Sequence, residues 1–552
     1  MLEFRKEFFK DERDDRLNEV GQPRQRQDML GHVTGRTRYF DDHAFEGLLH
    51  LKVLRSPHPH ARLRSIDTAA AERAPGVKRV IRAADVPVNK NTLLSLINFG
   101  KDDEPLLAVD KVRYKGEPIL AIVAESEAAA YDALGKVRVE YDPLPAVFDV
   151  EEAIKPGAPV VNETYPANTF EYHEKYNHQK LRFGDVERAF AQADYVVEER
   201  YQMSPIEHAP TETNGSIAAP ETNDRFVVHS STQALFFSLG TAAKLLDVPS
   251  NRLHYIGGTV GGGFGGKVDS LTEPLSILGA MLTGRPVRYV LNREEEMLYG
   301  SPRGAERHTV KDGVMRDGRI VARKLTSYFD AGAYTRLSSY GAVKCAAHIP
   351  GPYTIPNVSA DVYCVYTNRT PATAMRGFGI TGVDFSLEVQ MDKLAHKVGM
   401  DPMEFRILNA YRDGDIKAHR REAHNCALIE CVQVAAEKAG WPIREEYRRM
   451  SSLTGGGGER AAIPATTTDE KGRIGTGRPA AGTPSRPATV PVAPPPRAPQ
   501  PVAAQPRAAP ASRPVMPQPQ PPPAAAPKEQ AKPAAPQHGA TRFSSVFGTR
   551  RR

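Results

Sequence analysis

Between residues 31 and 149 short apolar runs alternate with turn residues, a pattern that predicts strands with few helices. The runs at 48–54, 77–81, 119–124 and 137–141 predict strands, and the Ala-rich stretch 126–135 predicts one helix. Residues 151–169 carry Pro, Gly and Asn instead of a period and read as a linker. The pattern resumes at Phe183 with a helix over 186–193 and strands over 195–201 and 225–229. An apolar helix over 234–246 follows, stopped by Asp247-Val248-Pro249. Strands at 286–291, 320–328 and 358–366 and helices at 381–398 and 426–439 complete the patterned part, and no internal repeat is visible. The fold class is α+β. The expected organisation is a charged N-terminal extension (1–27), a first α/β domain (28–150), a linker (151–164), a second domain (165–445) and a tail (446–552).

Composition changes this picture at one end. The 552 residues are 40% apolar, enough for several buried cores, but the apolar content is unevenly spread. No aromatic residue stands between Tyr447 and Phe543, and residues 479–540 hold 20 of the 46 prolines, interleaved with Ala, Gln and Arg. Such a segment buries too little apolar surface to offset its chain entropy, so a disordered Pro/Ala/Arg-rich tail with polyproline II character is expected. Residues 451–552 hold 14 Lys or Arg against 4 Asp or Glu, which leaves 59 basic and 62 acidic residues in the body. A nucleic-acid reading of the net charge of +7 therefore fails for the folded part. With no apolar stretch of 18 or more residues and no signal-peptide pattern, no membrane span and a cytoplasmic location are expected.

The densest chemical signal is Gly257-Gly258-Thr259-Val260-Gly261-Gly262-Gly263-Phe264-Gly265-Gly266-Lys267, where the missing side chains let backbone approach a bulky ligand. Three readings fit it. Gly261, Gly263 and Gly266 match a dinucleotide fingerprint, with a strand at 251–256, a helix at 270–282, a second strand at 286–291 and Glu294 beyond it. Gly261 to Lys267 also matches a phosphate loop until Val268, which stands where a Ser or Thr should hold magnesium.

The third reading comes from the surroundings. Ser231-Thr232-Gln233, the glycine run and Thr373-Ala374-Met375-Arg376-Gly377-Phe378-Gly379 occur in the order found in the molybdenum-pterin subunit of the xanthine dehydrogenase and aldehyde oxidase family, which the chain resembles over about residues 20–440. Further similar segments are His208-Ala209-Pro210-Thr211-Glu212, Thr283-Gly284-Arg285-Pro286-Val287-Arg288 and Tyr353-Thr354-Ile355-Pro356-Asn357. The turn Arg55-Ser56-Pro57-His58-Pro59-His60-Ala61 resembles part of that family's hammerhead domain. His58 and His60 read there as surface-loop residues rather than metal ligands.

The resemblance implies a hammerhead-like domain followed by the first part of a molybdopterin-binding domain, and a molybdenum hydroxylase subunit that inserts water-derived oxygen at an electrophilic carbon. It implies a molybdenum-molybdopterin cofactor, with a dinucleotide form open, contacted by Gln233, Gly262, Gly263, Phe264, Gly265 and Arg376. Of these, Gln233, Phe264 and Arg376 form the molybdenum environment. Val268, Lys344 and Phe378 would shape the substrate pocket. Purine-specific members carry Glu where Val268 stands, and Lys344 replaces an Arg fork, so an aldehyde, aromatic acid or N-heterocycle fits better than xanthine.

Cys345, Cys364, Cys426 and Cys431 show no iron–sulfur or zinc spacing and read as reduced structural thiols, the last two inside a helix. The [2Fe-2S] clusters and FAD implied by the resemblance are therefore expected on partner subunits. The family's pterin domain continues for about as many residues again and there supplies a general-base Glu, which has no counterpart here. From about Ser451 the composition looks like a shifted reading frame or a split gene, and a further polypeptide carrying the second half is an expected partner. A non-catalytic remnant or assembly partner, and a Rossmann-type NAD-binding oxidoreductase, are the alternatives.

Overall fold

A run that is apolar at every position needs cover on both faces, and Pro118–Ala124 is buried along its whole length. In the computed structural model, which describes residues 25–453 and the backbone of 466–468 and 474–476, the early part of the chain forms β1 (Leu49–Arg55), β2 (Ala61–Asp67), β3 (Val77–Ile81), β4 (Lys111–Val112), β5 (Pro118–Ala124) and β6 (Arg138–Pro143). Helix α1 (Glu127–Leu134), capped by the Ser126 hydroxyl accepting the Ala129 N–H, lies where the Ala-rich stretch predicts it. β2 lies between β4 and β6 in a three-stranded sheet.

The later part contributes β7 (Gln179–Phe183), β8 (Tyr195–Met203), β9 (Gly215–Glu221), β10 (Arg225–Ser230), β11 (Leu253–Gly257), β12 (Val287–Val290), β13 (Glu306–Val314), β14 (Ile320–Gly332) and β15 (Val358–Tyr366). Five of these form a sheet ordered β7-β15-β14-β13-β8. The remaining four join β1, β5 and β3 in a seven-stranded sheet ordered β11-β10-β9-β12-β1-β5-β3. β1 runs parallel to β12, pairing Leu49 with Val287, so segments expected as separate domains share one sheet.

The helices follow the expected punctuation. α2 (Leu235–Leu246) stops at Asp247, whose φ of 52° is left-handed. α3 (Glu273–Thr283) is buried over most of its length and packs on β9 and β12, where Gly279 lets Val123 and Val287 approach. α4 (Ser338–His348), α5 (Thr381–Val398), α6 (Pro402–Asn409) and α7 (Leu428–Ala439) are the other helices of eight or more residues among the described residues, and shorter ones include Val186–Gln192 and Arg293–Tyr299. α5 ends at Gly399 with φ 71°, and α6 begins where Asp401 accepts the Met403 and Glu404 N–H groups.

Four expectations need correction. The segment read as a linker opens with a helical turn at Val150–Ala153 and buries Val161 and Asn162. Asn168 Oδ1 accepts the Val161 N–H at 2.9 Å, so side-chain amides satisfy this irregular backbone and let it pack. His60 is buried, its Nδ1 2.5 Å from the Pro145 carbonyl, while His58 packs on Tyr141 with ring centroids 4.7 Å apart. Cys426 precedes α7 instead of lying in it. Residues 446–453, assigned to the tail, belong to the body: Tyr447 and Ser452 are buried, and Gln433 Nε2 donates to the carbonyls of Tyr447 at 2.7 Å and Met450 at 2.9 Å. The rest of the tail and residues 1–24 of the extension lie outside the described residues, apart from the antiparallel pairing of 466–468 with 474–476.

Candidate cofactor site

β10 delivers Ser231, Thr232 and Gln233 beside the glycine loop that leaves β11. The Gln233 N–H donates to the Lys267 carbonyl at 2.8 Å. Its Oε1 accepts from Gly265 N at 2.9 Å and Lys267 N at 3.3 Å. With the oxygen of the amide held by two donors, its NH₂ end is turned outward as a donor. Gly263 permits this contact, since a Cβ there would stand 2.4 Å from Gln233 Cδ.

Gly265 has φ +106°, and a Cβ on it would meet the Ala374 carbonyl oxygen at 2.4 Å, so glycine is required for two separate reasons. Arg376 N donates to Phe264 O at 2.8 Å, which locks the loop to the Thr373–Gly379 segment. Phe264 sits at φ 53° with its side chain 48% exposed; it faces the open side of the loop and is not packed in the core. The Arg376 side chain is exposed and makes no ion pair among the described residues. The N–H groups of Gly262, Gly263 and Phe264 meet no acceptor there either. Free backbone donors, an outward amide and an unpaired guanidinium form a donor-rich face suited to a large anion.

Behind the loop, Lys267 Nζ donates to Glu212 Oε2 at 2.7 Å, and the same oxygen accepts Gly261 N–H at 2.7 Å. The Lys267 side chain is fully buried; burial pushes its ammonium below the ordinary lysine range and the Glu212 hydrogen bond opposes that. The His208 ring lies against Gly266, where a Cβ would stand 2.8 Å from Nδ1, and its Nε2 is 2.9 Å from the Ala374 carbonyl. The sequence alone gives His208 and Glu212 no role at the site. Their signal there is the His208-Ala209-Pro210-Thr211-Glu212 segment, similar to the family's and upstream of the glycine loop, to which the sequence attaches no role.

Val268 and Phe378 share an apolar cluster with Leu93, Leu94, Leu337, Phe237 and Tyr340. Lys344, on α4, places Nζ 5.1 Å from the Tyr340 ring centroid, and Tyr340 lies 6.4 Å from the Phe378 ring. The three positions expected to shape a substrate pocket are thus brought together beside the loop.

The nucleotide readings fail on topology and charge. The two strands of a Rossmann unit would be adjacent, but β10 and β9 separate β11 from β12. The helix after the loop starts only at Glu273, away from the glycines, and Glu294 lies in the first turn of another helix, Arg293–Tyr299. Lys267, which a phosphate loop would present to its ligand, is committed to Glu212. Cys345 and Cys364 are buried, Cys426 is partly buried and Cys431 is exposed. No group of three or more His, Cys, Asp or Glu is placed to hold a metal ion among the described residues. No helix among them is long and apolar enough to cross a membrane.

A family model described as molybdopterin cofactor-binding domain matches residues 167–410. One described as aldehyde oxidase and xanthine dehydrogenase, a/b hammerhead domain, matches 34–145. The chain is 33% identical over 421 residues to the nicotinate dehydrogenase large molybdopterin subunit of Eubacterium barkeri, covering 76% of this chain and 96% of that protein. It is 35% identical over 390 residues to the nicotine 6-hydroxylase large subunit of Paenarthrobacter nicotinovorans, covering 69% and 47%. The solved aldehyde oxidoreductase of Desulfovibrio gigas matches with a TM-score of 0.70 at 30% identity, covering 76% of this chain and 47% of that one. The chain thus spans about half the length of the last two and nearly all of the first.

Proposed function

The chain belongs to the xanthine dehydrogenase and aldehyde oxidase family, with a molybdopterin-binding domain after its hammerhead domain, and from that premise we propose that it is the cofactor-binding subunit of a molybdenum hydroxylase acting on an aldehyde or an aromatic or N-heteroaromatic carbon. The observation that carries the reading is the convergence of Gln233, Phe264 and Arg376 on one face, through the Gln233 Oε1 bonds to the loop and the Arg376 N to Phe264 O bond. The cofactor, when bound, supplies the oxidant and the water-derived oxygen.

This chain's own residues bind and orient. Gln233 offers an amide N–H₂ whose direction is set by the loop, so it donates without presenting a competing oxygen. The free N–H groups of Gly262, Gly263 and Phe264 and the Arg376 guanidinium meet anionic oxygens. The Phe264 ring covers the reacting side and keeps water from it. Val268 and Phe378 offer an apolar, aromatic wall for a flat ring or aldehyde, with Lys344 adding one positive charge at its margin. Glu212 is committed to Lys267 and Gly261, so the proton acceptor is assigned to a second polypeptide that completes the domain.

The open face, with Phe264 half-exposed and Phe236 86% exposed beside Gln233, supports such a partner, as does the near-complete coverage of the E. barkeri protein. Buried or scattered cysteines support electron transfer through a small [2Fe-2S] subunit and an FAD subunit, and the assembly is proposed to be cytoplasmic. Metal analysis of the assembled complex tests the reading: Gln233→Ala and Arg376→Ala should each lower bound molybdenum and turnover. Unchanged molybdenum and turnover in both variants would refute it. A wild-type complex that holds no molybdenum with every partner present would favour the remnant reading.

A further inference from the structure

Beyond Val268 the chain turns into Asp269, and there the fold holds a partly open cavity of about 50 Å³ lined by charged and polar side chains together with Leu93, Leu106, Leu245 and Leu271. Asn91 Oδ1, Thr241 Oγ1 and Asp269 Oδ2 line it, and each is buried without a hydrogen-bond partner. Asp269 is 6% exposed and Thr241 3%. Interior oxygens are ordinarily paired, and those that are not call for an explanation.

Charge narrows that explanation. Three charged side chains face the cavity: Glu104, Asp269 and Arg336. Arg336 grips Glu104, with NH2 to Oε1 at 2.8 Å and Nε to Oε2 at 3.1 Å, and its NH1 donates to the Ser301 hydroxyl. That pairing leaves Asp269 as the one carboxylate there outside an ion pair, with the Thr373 and Ser301 hydroxyls as its hydrogen-bonding neighbours. Burial pushes the Asp269 carboxyl above its ordinary range, with the Arg336 guanidinium opposing.

The space is far too small for an organic ligand, which takes roughly 300 Å³ or more, yet exceeds the ~10–15 Å³ that one water needs. A divalent ion is disfavoured, because calcium and magnesium sites gather several carboxylates and no group of three or more His, Cys, Asp or Glu is placed to hold a metal ion among the described residues. We propose that this cavity binds one monovalent cation of the sodium or potassium type, held by Asn91 Oδ1, Thr241 Oγ1 and the Asp269 carboxylate, with water filling the remaining positions. Its charge cancels the unmatched one, and its ligands tie α2 to the end of the glycine loop. The site adjoins the Val268 end of the loop, sharing Leu93 with the apolar cluster of Val268 and Phe378, but its ion binding does not depend on the proposed reaction.

The test uses the full-length chain in the assembly in which it purifies. Thermal unfolding is compared in sodium chloride, potassium chloride and N-methylglucamine chloride at equal ionic strength. Sodium or potassium should raise Tm by ~2–4 °C over the bulky cation, and both Asp269→Asn and Thr241→Val should abolish that difference. Crystals soaked in rubidium or thallium should show an anomalous peak among the three oxygens. If Asp269→Asn does not fold, Thr241→Val and the soak still decide. Equal Tm values in all three salts, no anomalous peak, or an Asp269→Asn variant more stable than wild type in every salt would each overturn the proposal, the last because the cavity then prefers a neutral group.

Discussion

Replacing Gly265 by Ala probes the contact that holds the two halves of the cofactor face together. The backbone there has φ +106°, and an added Cβ would stand 2.4 Å from Ala374 O, 2.8 Å from Ala374 C and 3.1 Å from Met375 Cα. All three neighbours are backbone, so no side chain can swing away. A non-glycine residue in such a conformation costs about 1–3 kcal/mol, and forcing atoms into a filled space costs about 1–3 kcal/mol more. Because Arg376 and Gly377 are exposed, the 373–379 segment can retreat and relieve part of this. The expected loss is therefore about 2–3 kcal/mol, or roughly 30- to 150-fold in the unfolding constant. The retreat would break the 2.8 Å Arg376 N to Phe264 O bond and the 2.9 Å contact of His208 with Ala374 O. Gly258 is the control, since a Cβ there meets nothing within 4 Å and its φ is not positive; Gly258→Ala should be neutral or stabilising by about 0.4–1 kcal/mol. Urea unfolding gives the free energies, and hydrogen exchange at the Arg376 amide reports the local separation. Equal urea midpoints for the two variants, with unchanged exchange at Arg376, would refute the reasoning.

Lys267→Met should destabilise by about 3–5 kcal/mol, because it strands the Glu212 carboxylate against the loop. Adding Glu212→Gln should recover part of that loss, and additive effects in urea unfolding would argue against the pairing. The acids at the junction of the two sheet regions make stability fall as pH rises. Asp103, held by Thr335 N–H and Tyr366 O–H at 3.1 Å each, is pushed up by burial to about 7, as is Glu117. The folded state therefore binds these protons more tightly than the unfolded chain, where an Asp titrates near ~3.9, and their stabilisation is complete below about pH 4 and lost as pH rises through 7. Relative to wild type, Asp103→Asn should gain in Tm between pH 5 and pH 8; parallel Tm profiles would contradict this.

Much of the element map was legible in the sequence, since it rests on local rules. Apolar periodicity and stop signals such as Gly399 act within a few residues, so α5 and β15 appear where the pattern puts them. β13 is absent from the expected strands, because Glu306, His308 and Asp312 share its inward positions with Val310 and Val314, and a strand whose inward face is mostly polar shows no clear apolar alternation. What makes it a core strand is the fully buried pair of Asp312 with Arg323, 2.7 Å apart, and the partner lies on another strand. The motif order likewise marks Gln233, Phe264 and Arg376 as candidates without saying how they would meet. That meeting is a property of sheet order: β10 beside β11 brings Gln233 to the loop. The missing Cβ of Gly265 then lets Ala374 close on it, and a buried lysine and histidine with a partly buried glutamate brace the loop from behind. Local pattern determines where helices and strands can form, because backbone propensity and burial period are read residue by residue. Only the tertiary structure decides which distant polar groups find partners, because a buried charge or hydrogen-bonding group is tolerable only once its partner from elsewhere in the chain has arrived.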